Sequence, residues 1–203
     1  MKMNDINSLI LHLLQRLENR DLKLSEVLVS CPAQIYATAR IACLNVEKNR
    51  EVVAYYLSQC LRKKPKTLLR NFFYWALSSL WQDYREGSLS AEKFAPVVNA
   101  WVERSKSLFS KPEVRFINAV LRPCFQRFCE INTLNDSIRF STPVWLIRRW
   151  EGIYGKTAVG KLLEWNASRI QNYLRIDRDD LPFLQKTPWQ YFYQDTTVYM
   201  VSP

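Results

Sequence analysis

Glycine occurs only four times in 203 residues, which leaves few of the positive-φ corners that a sheet-rich chain of this length needs between its strands. The apolar residues point the same way. Ile6, Leu9, Ile10, Leu13, Leu14 and Leu17 recur at i, i+3, i+4 and i+7, the spacing that gathers side chains on one face of a helix, with Asn4 or Asp5 ahead of them as an N-cap. Similar patterns predict helices over roughly 33–46, 49–62, 66–84, 90–109 and 112–130. Between them stand Ser30-Cys31-Pro32, Lys64-Pro65 and Glu86-Gly87-Ser88, residues that end helices by turn chemistry or by a missing donor. The fold expected is all-α: a helical bundle over residues 1–131, followed by a small, mostly helical region over 138–203. With 48% hydrophobic and 13% aromatic residues, the bundle has enough apolar surface to close without a metal or a disulfide.

One helix start is explicit. Ser110-Lys111-Pro112-Glu113 has the form of a capping box, in which the serine serves the first amides and the glutamate reaches back three residues. Phe116, Ile117, Val120 and Leu121 then fall on one side. The polar stretch Ile131 to Ser137 reads as a linker, and Ser141 or Thr142 ahead of Pro143 marks a new helix, since proline is tolerated where an amide has no partner to lose. Helices are expected near 143–154 and 156–167. Beyond Asp177 the pattern of turns, prolines and aromatics leaves the secondary structure open.

Cys31, Cys43, Cys60, Cys124 and Cys129 form an odd set without C-x-x-C spacing, and His12 is the single histidine. These exclude a disulfide framework and a zinc site. The most apolar stretch, Phe72 to Trp81, is about half the ~20 residues needed to span a bilayer, and the N-terminal residues lack the apolar run of a signal peptide. A cytoplasmic protein with no membrane partner is expected.

The net charge of +10 favours polyanionic partners. Its excess is concentrated early, with 20 Lys/Arg against 12 Asp/Glu in residues 1–130 and 9 against 7 thereafter. Arg62, Lys63, Lys64, Lys66 and Arg70 form the densest cluster, which either neutralises RNA phosphates or is a solvated helix junction. Arg148 and Arg149 lie between Trp145 and Trp150, a mixture of cations and rings that suits single-stranded RNA, although tryptophans at i and i+5 more often belong to a core. Phe72, Phe73, Tyr74, Trp75 and Trp81 are assigned to the core, and Asn118 to a structural hydrogen bond that caps or bridges neighbouring helices. Pro123-Cys124 is the only dipeptide suggestive of a nucleophile, and Cys124 reads as structural, while His12 reads as a surface or core-edge residue rather than a catalytic base. No catalytic residue is assigned.

Several ordered segments resemble the front part of 16S ribosomal RNA cytosine-5 methyltransferases of the RsmB/Fmu type. Phe116-Ile117-Asn118-Ala119-Val120-Leu121-Arg122 is similar to the signature of the last helix of their NusB-like domain. Val97 to Glu103 resembles a preceding helix, and Leu61 to Lys66 a basic junction. Thr142-Pro143-Val144-Trp145-Leu146-Ile147-Arg148-Arg149-Trp150, with Tyr154-Gly155, resembles the opening of the connecting domain, with threonine in place of histidine. Leu174-Arg175-Ile176-Asp177 and Tyr193-Gln194-Asp195 resemble the segments that lead to the catalytic domain. A double proline is missing, the connecting region is short, and Leu44 to Glu47 and Ala91 to Pro96 depart from the family pattern, which marks a divergent branch.

The resemblance implies an RNA-binding, substrate-positioning module for ribosomal RNA, without the catalytic domain that binds S-adenosylmethionine. Neither a cofactor nor catalysis is therefore expected of these residues alone. The alternative is a NusB-type transcription antitermination factor, which would bind leader RNA together with ribosomal protein S10. The segment from Thr142 to Asp195 argues against it, because such factors resemble only the first domain.

Overall fold

The computed structural model describes residues 6–18, 22–90, 94–128 and 134–168, together with the backbone of 173–176, 190–194 and 197–201. Asn4, Asp5, Cys129 and Asp195 lie outside the described residues. Two compact units are formed, Met1–Gly160 and Lys161–Pro203. The described chain is helical from its start through Ala167, as the apolar periodicity predicts.

The helices are α1 (Ile6–Leu17), α2 (Leu24–Leu28), α3 (Ala33–Lys48), α4 (Arg50–Cys60), α5 (Thr67–Arg85), α6 (Phe94–Ser105), α7 (Lys111–Gln126), α8 (Asp136–Arg139), α9 (Val144–Tyr154) and α10 (Lys156–Ala167). Two of these have no counterpart in the periodic pattern. Helix α2 is too short to show a period. It is held by burial of Val27 and Leu28 and by the Lys23 amide, which donates to Glu26 Oε2 at 2.6 Å. Helix α8 lies in the polar stretch and is capped by Asn135, whose Oδ1 accepts from the Ser137 amide at 2.9 Å. Leu134 just before it and Ile138 within it pack against the main core, so this stretch is drawn onto the bundle.

Helix α6 stops at Ser105, well short of the predicted residue 109. The Ser105 hydroxyl donates to the Val102 carbonyl at 2.6 Å, a side-chain bond that competes with continuation of the helix. The start of α7 is as expected, with the Ser110 amide and hydroxyl donating to Glu113 Oε2 at 2.9 and 2.6 Å. Helix α5 ends at Arg85 with Glu86 as its C-cap, and Gly87 follows with a φ of 72° that is left-handed and therefore suited to a residue without Cβ; its amide bonds to the Tyr84 carbonyl.

Helix α5 is the axis of the bundle and packs against α1, α3, α4 and α7. It buries Phe72, Phe73, Trp75, Leu77, Leu80 and Trp81, each worth about 1.5–3 kcal/mol of hydrophobic stabilisation. Tyr74 is only half-buried. At one end, Trp81 meets Phe128 edge-on at 5.0 Å and Phe125 stacks on Phe94 at 4.1 Å. Elsewhere Phe72 and Trp75 meet Trp101 edge-on, and the Arg104 guanidinium covers the Trp101 ring at 4.6 Å. Of the signature side chains, Ile117, Val120 and Leu121 are buried. Phe116 is 40% exposed and touches Phe73 from the margin.

Ser141, between α8 and α9, has φ 48°, and its hydroxyl accepts from the Glu51 amide at 3.2 Å. It thereby serves an otherwise unpartnered amide in the first turn of α4. Pro143 stands immediately before α9.

The Lys161–Pro203 unit contains the rest of α10 and a feature that the pattern left open. Strands β1 (Tyr173–Ile176), β2 (Gln190–Gln194) and β3 (Thr197–Val201) form an antiparallel sheet of order β1-β3-β2. The pairings Arg175↔Tyr199 and Phe192↔Tyr199 fix its register, and its tyrosines, Phe192 and β-branched residues favour strand geometry. Among the described residues, no helix is long and apolar enough to cross a membrane.

Candidate functional site

Helix α4 ends at Cys60, and Leu61 is already extended at φ −118°, ψ 124°. Pro65 disfavours helical geometry at Lys64, and Lys66 remains extended before α5 begins at Thr67. Arg62, Lys63 and Lys64 therefore stand on a short non-helical segment between two helices, all three exposed. None forms an ion pair among the described residues, unlike Arg50 with Glu47, Arg70 with Glu18 and Lys106 with Glu103.

This loop borders a concavity of about 270 Å³. Ala54, Leu57, Leu61 and Pro65 give it apolar walls, while Arg62, Lys63 and Lys64 supply charge. Arg70 also lines it but is already engaged, with Nη2 and Nε donating to Glu18 Oε1 at 2.7 and 3.3 Å. Arg70, one of the cations of the expected phosphate-binding cluster, thus has its guanidinium oriented by a carboxylate. Lys66 is exposed on the α5 side of the loop and does not line the concavity.

Sequence reasoning missed two polar groups here, Ser58 and Tyr74. Tyr74 stands four residues after Arg70, one turn along the same face, a signal that its assignment to the core obscured. Burial raises its phenol pKa, only partly opposed by Arg50, so the hydroxyl stays protonated at neutral pH. The Arg50 guanidinium lies 5.9 Å from the Tyr74 ring centre. The Ser58 hydroxyl donates to the Tyr55 carbonyl at 2.6 Å, leaving its lone pairs as acceptors.

Arg148 and Arg149 occupy α9, a different element. Both are exposed, on the same arc as Trp145 and Ile153, which are 65% and 62% exposed. Trp145 is therefore a surface ring, contrary to the expectation that both tryptophans pack in a core; Trp150 is half-buried. Spacing i, i+3, i+4 places the two guanidinia one turn from the indole. That supplies cations beside an open ring face.

The remaining candidates lie elsewhere. Cys124 is fully buried, its thiol directed to the Tyr56 carbonyl at 3.7 Å. Desolvation and the neighbouring Cys60 hold its pKa far above that of a free thiol, which suppresses the nucleophilic thiolate. His12 is exposed on α1. Asn118 accepts from Arg122 within α7, and Arg122 also donates to Asn99 of α6, so two of the motif helices are tied by one guanidinium. Glycines 87, 152, 155 and 160 lie inside helices or directly after them. None provides the glycine turn after a strand that would let backbone approach S-adenosylmethionine. Among the described residues, no cluster of His, Cys, Asp and Glu could hold a metal. No family model and no curated protein matches the chain.

Proposed function

We propose that this chain is an RNA-binding module that positions ribosomal RNA for a cytosine-5 methyltransferase-like activity, with a NusB-like bundle followed by a connecting region. The observation that carries this reading is the run Arg62-Lys63-Lys64, three exposed cations on one loop without carboxylate partners among the described residues. Such groups attract phosphates because each contact releases condensed counterions. Lys66 extends the run, and Arg148 and Arg149 beside Trp145 add a second surface with the same chemistry. The role is placement: these residues hold the backbone of RNA, and the transfer chemistry belongs to a cofactor-binding domain.

The test is RNA affinity as a function of salt for the wild type and for a variant with Arg62, Lys63, Lys64 and Lys66 all changed to alanine. Each lost phosphate contact lowers the slope of log affinity against log salt by about 0.7–0.9. The variant is expected to bind more weakly with a flatter slope. An unchanged slope removes this loop from the interface, and a wild type without RNA affinity overturns the reading.

A further inference from the structure

We propose that the concavity between α4 and the basic loop receives a single unstacked nucleobase, so that the module selects single-stranded over double-stranded RNA. The inference rests on the RNA-binding reading above and names the form of RNA that this site takes.

Three observations support it. The volume, about 270 Å³, lies just below the ~300–1,000 Å³ typical of sites for drug-sized molecules, which matches one base rather than a larger ligand. The charge is arranged asymmetrically. Arg62, Lys63 and Lys64 are exposed, whereas the walls at Ala54, Leu57 and Pro65 are apolar. A free anion would leave that apolar surface unused; a nucleotide fills it with its base and meets the cations with its flanking phosphates. The polar groups among these walls also suit a base edge. Arg70, oriented by Glu18, is a donor, Ser58 offers lone pairs, and the protonated Tyr74 hydroxyl can do either.

Bases within an A-form duplex are stacked, and their edges in the major groove are beyond the reach of side chains. A duplex can therefore meet the cations but cannot enter the concavity. An inserted base contributes to affinity in single-strand sites of this kind, and that contribution is lost when the space is filled.

The experiment measures binding of a short single-stranded oligoribonucleotide and of the duplex of the same sequence to the wild type, Ala54→Leu and Ser58→Leu. Both substitutions fill the concavity without changing charge. Ser58 is exposed, so its variant keeps the core intact, and circular dichroism checks both. The wild type should prefer the single strand by roughly tenfold, and each variant should lose roughly that factor for the single strand alone. Duplex affinity and the salt slope should stay unchanged. Equal wild-type affinity for the two RNAs, or variants that bind the single strand as the wild type does, would overturn base insertion and leave RNA binding standing. A wild type that binds neither RNA overturns the RNA-binding reading itself.

Discussion

Arg122 donates from Nη2 to Asn99 Oδ1 at 2.8 Å and links α7 to α6, while its Nε donates to Asn118 Oδ1 at 2.9 Å within α7. All three residues belong to two of the segments noted above for their resemblance, Val97 to Glu103 and Phe116 to Arg122. Since the contact to Asn99 is exposed, solvent screens it, and a double-mutant cycle between Asn99→Ala and Arg122→Ala should give a coupling of about 0.5 kcal/mol. Arg122→Ala alone should cost about 1 kcal/mol in urea denaturation, because it loses both acceptors. A coupling near zero would mean that the link does not hold the helices.

Arg70 and Lys63 belong to the same basic cluster but should respond differently to substitution. Arg70 and Glu18 retain 20% and 28% side-chain exposure, so their pairing is partly screened, and Arg70→Met should lower stability by about 1 kcal/mol. It should change the salt dependence of RNA binding little. Lys63→Ala should leave stability within about 0.5 kcal/mol of the wild type and reduce the salt slope by about 1. Denaturation and binding titrations on the two variants separate these roles, and the reverse assignment would refute the description of the loop.

Glu113 titrates below its ordinary pKa of 4.5, chiefly because the Ser110 hydroxyl and then the Ser110 amide bond to its carboxylate. The folded state thus binds that proton less readily than the unfolded state. The resulting stabilisation is present above the unfolded pKa and disappears as pH falls through the folded one. Glu113→Gln should therefore show a shallower loss of melting temperature than the wild type as pH is lowered from 6 to about 3. Parallel profiles would show that the capping box is not electrostatic.

Thiol reactivity should follow burial. Cys43 is fully buried, and its pKa is pushed up to about 12 by desolvation, with small additions from Cys31 and Glu47; Cys124 is held high for the same main reason. Cys31 and Cys60 are half-buried. Alkylation of the native protein near pH 8, mapped by mass spectrometry, should label Cys31 and Cys60 well before Cys43 and Cys124. Early labelling of Cys124 would contradict the packing of α7 against α4.

Amphipathic periodicity was legible wherever a helix ran long enough to repeat. The predicted segments at about 66–84 and 156–167 correspond to α5 at Thr67–Arg85 and α10 at Lys156–Ala167. The capping box at Ser110 was equally readable, because its atoms lie within four residues. Helices α2 and α8 were not, since the apolar groups that secure them, Val27 and Leu28 in one case and Leu134 and Ile138 in the other, bind to distant parts of the core. Strand Tyr173–Ile176 depends on pairing with Thr197–Val201, which no local window contains, whereas Gln190–Gln194 and Thr197–Val201 are adjacent in sequence and pair with each other.

The same division applies to the candidate site. Local composition was sufficient to identify Arg62, Lys63, Lys64 and Lys66 as a dense cationic run and to place it between helices, because Pro65 acts on its immediate neighbours. Tertiary structure alone decided that Arg70 is committed to Glu18, 52 residues away in sequence, and that Ser58 and Tyr74 join the walls of a concavity. It also decided that Trp145 faces solvent while Trp75 and Trp81 are buried. An indole carries the same apolar surface in each case, and what differs is whether another element approaches to cover it.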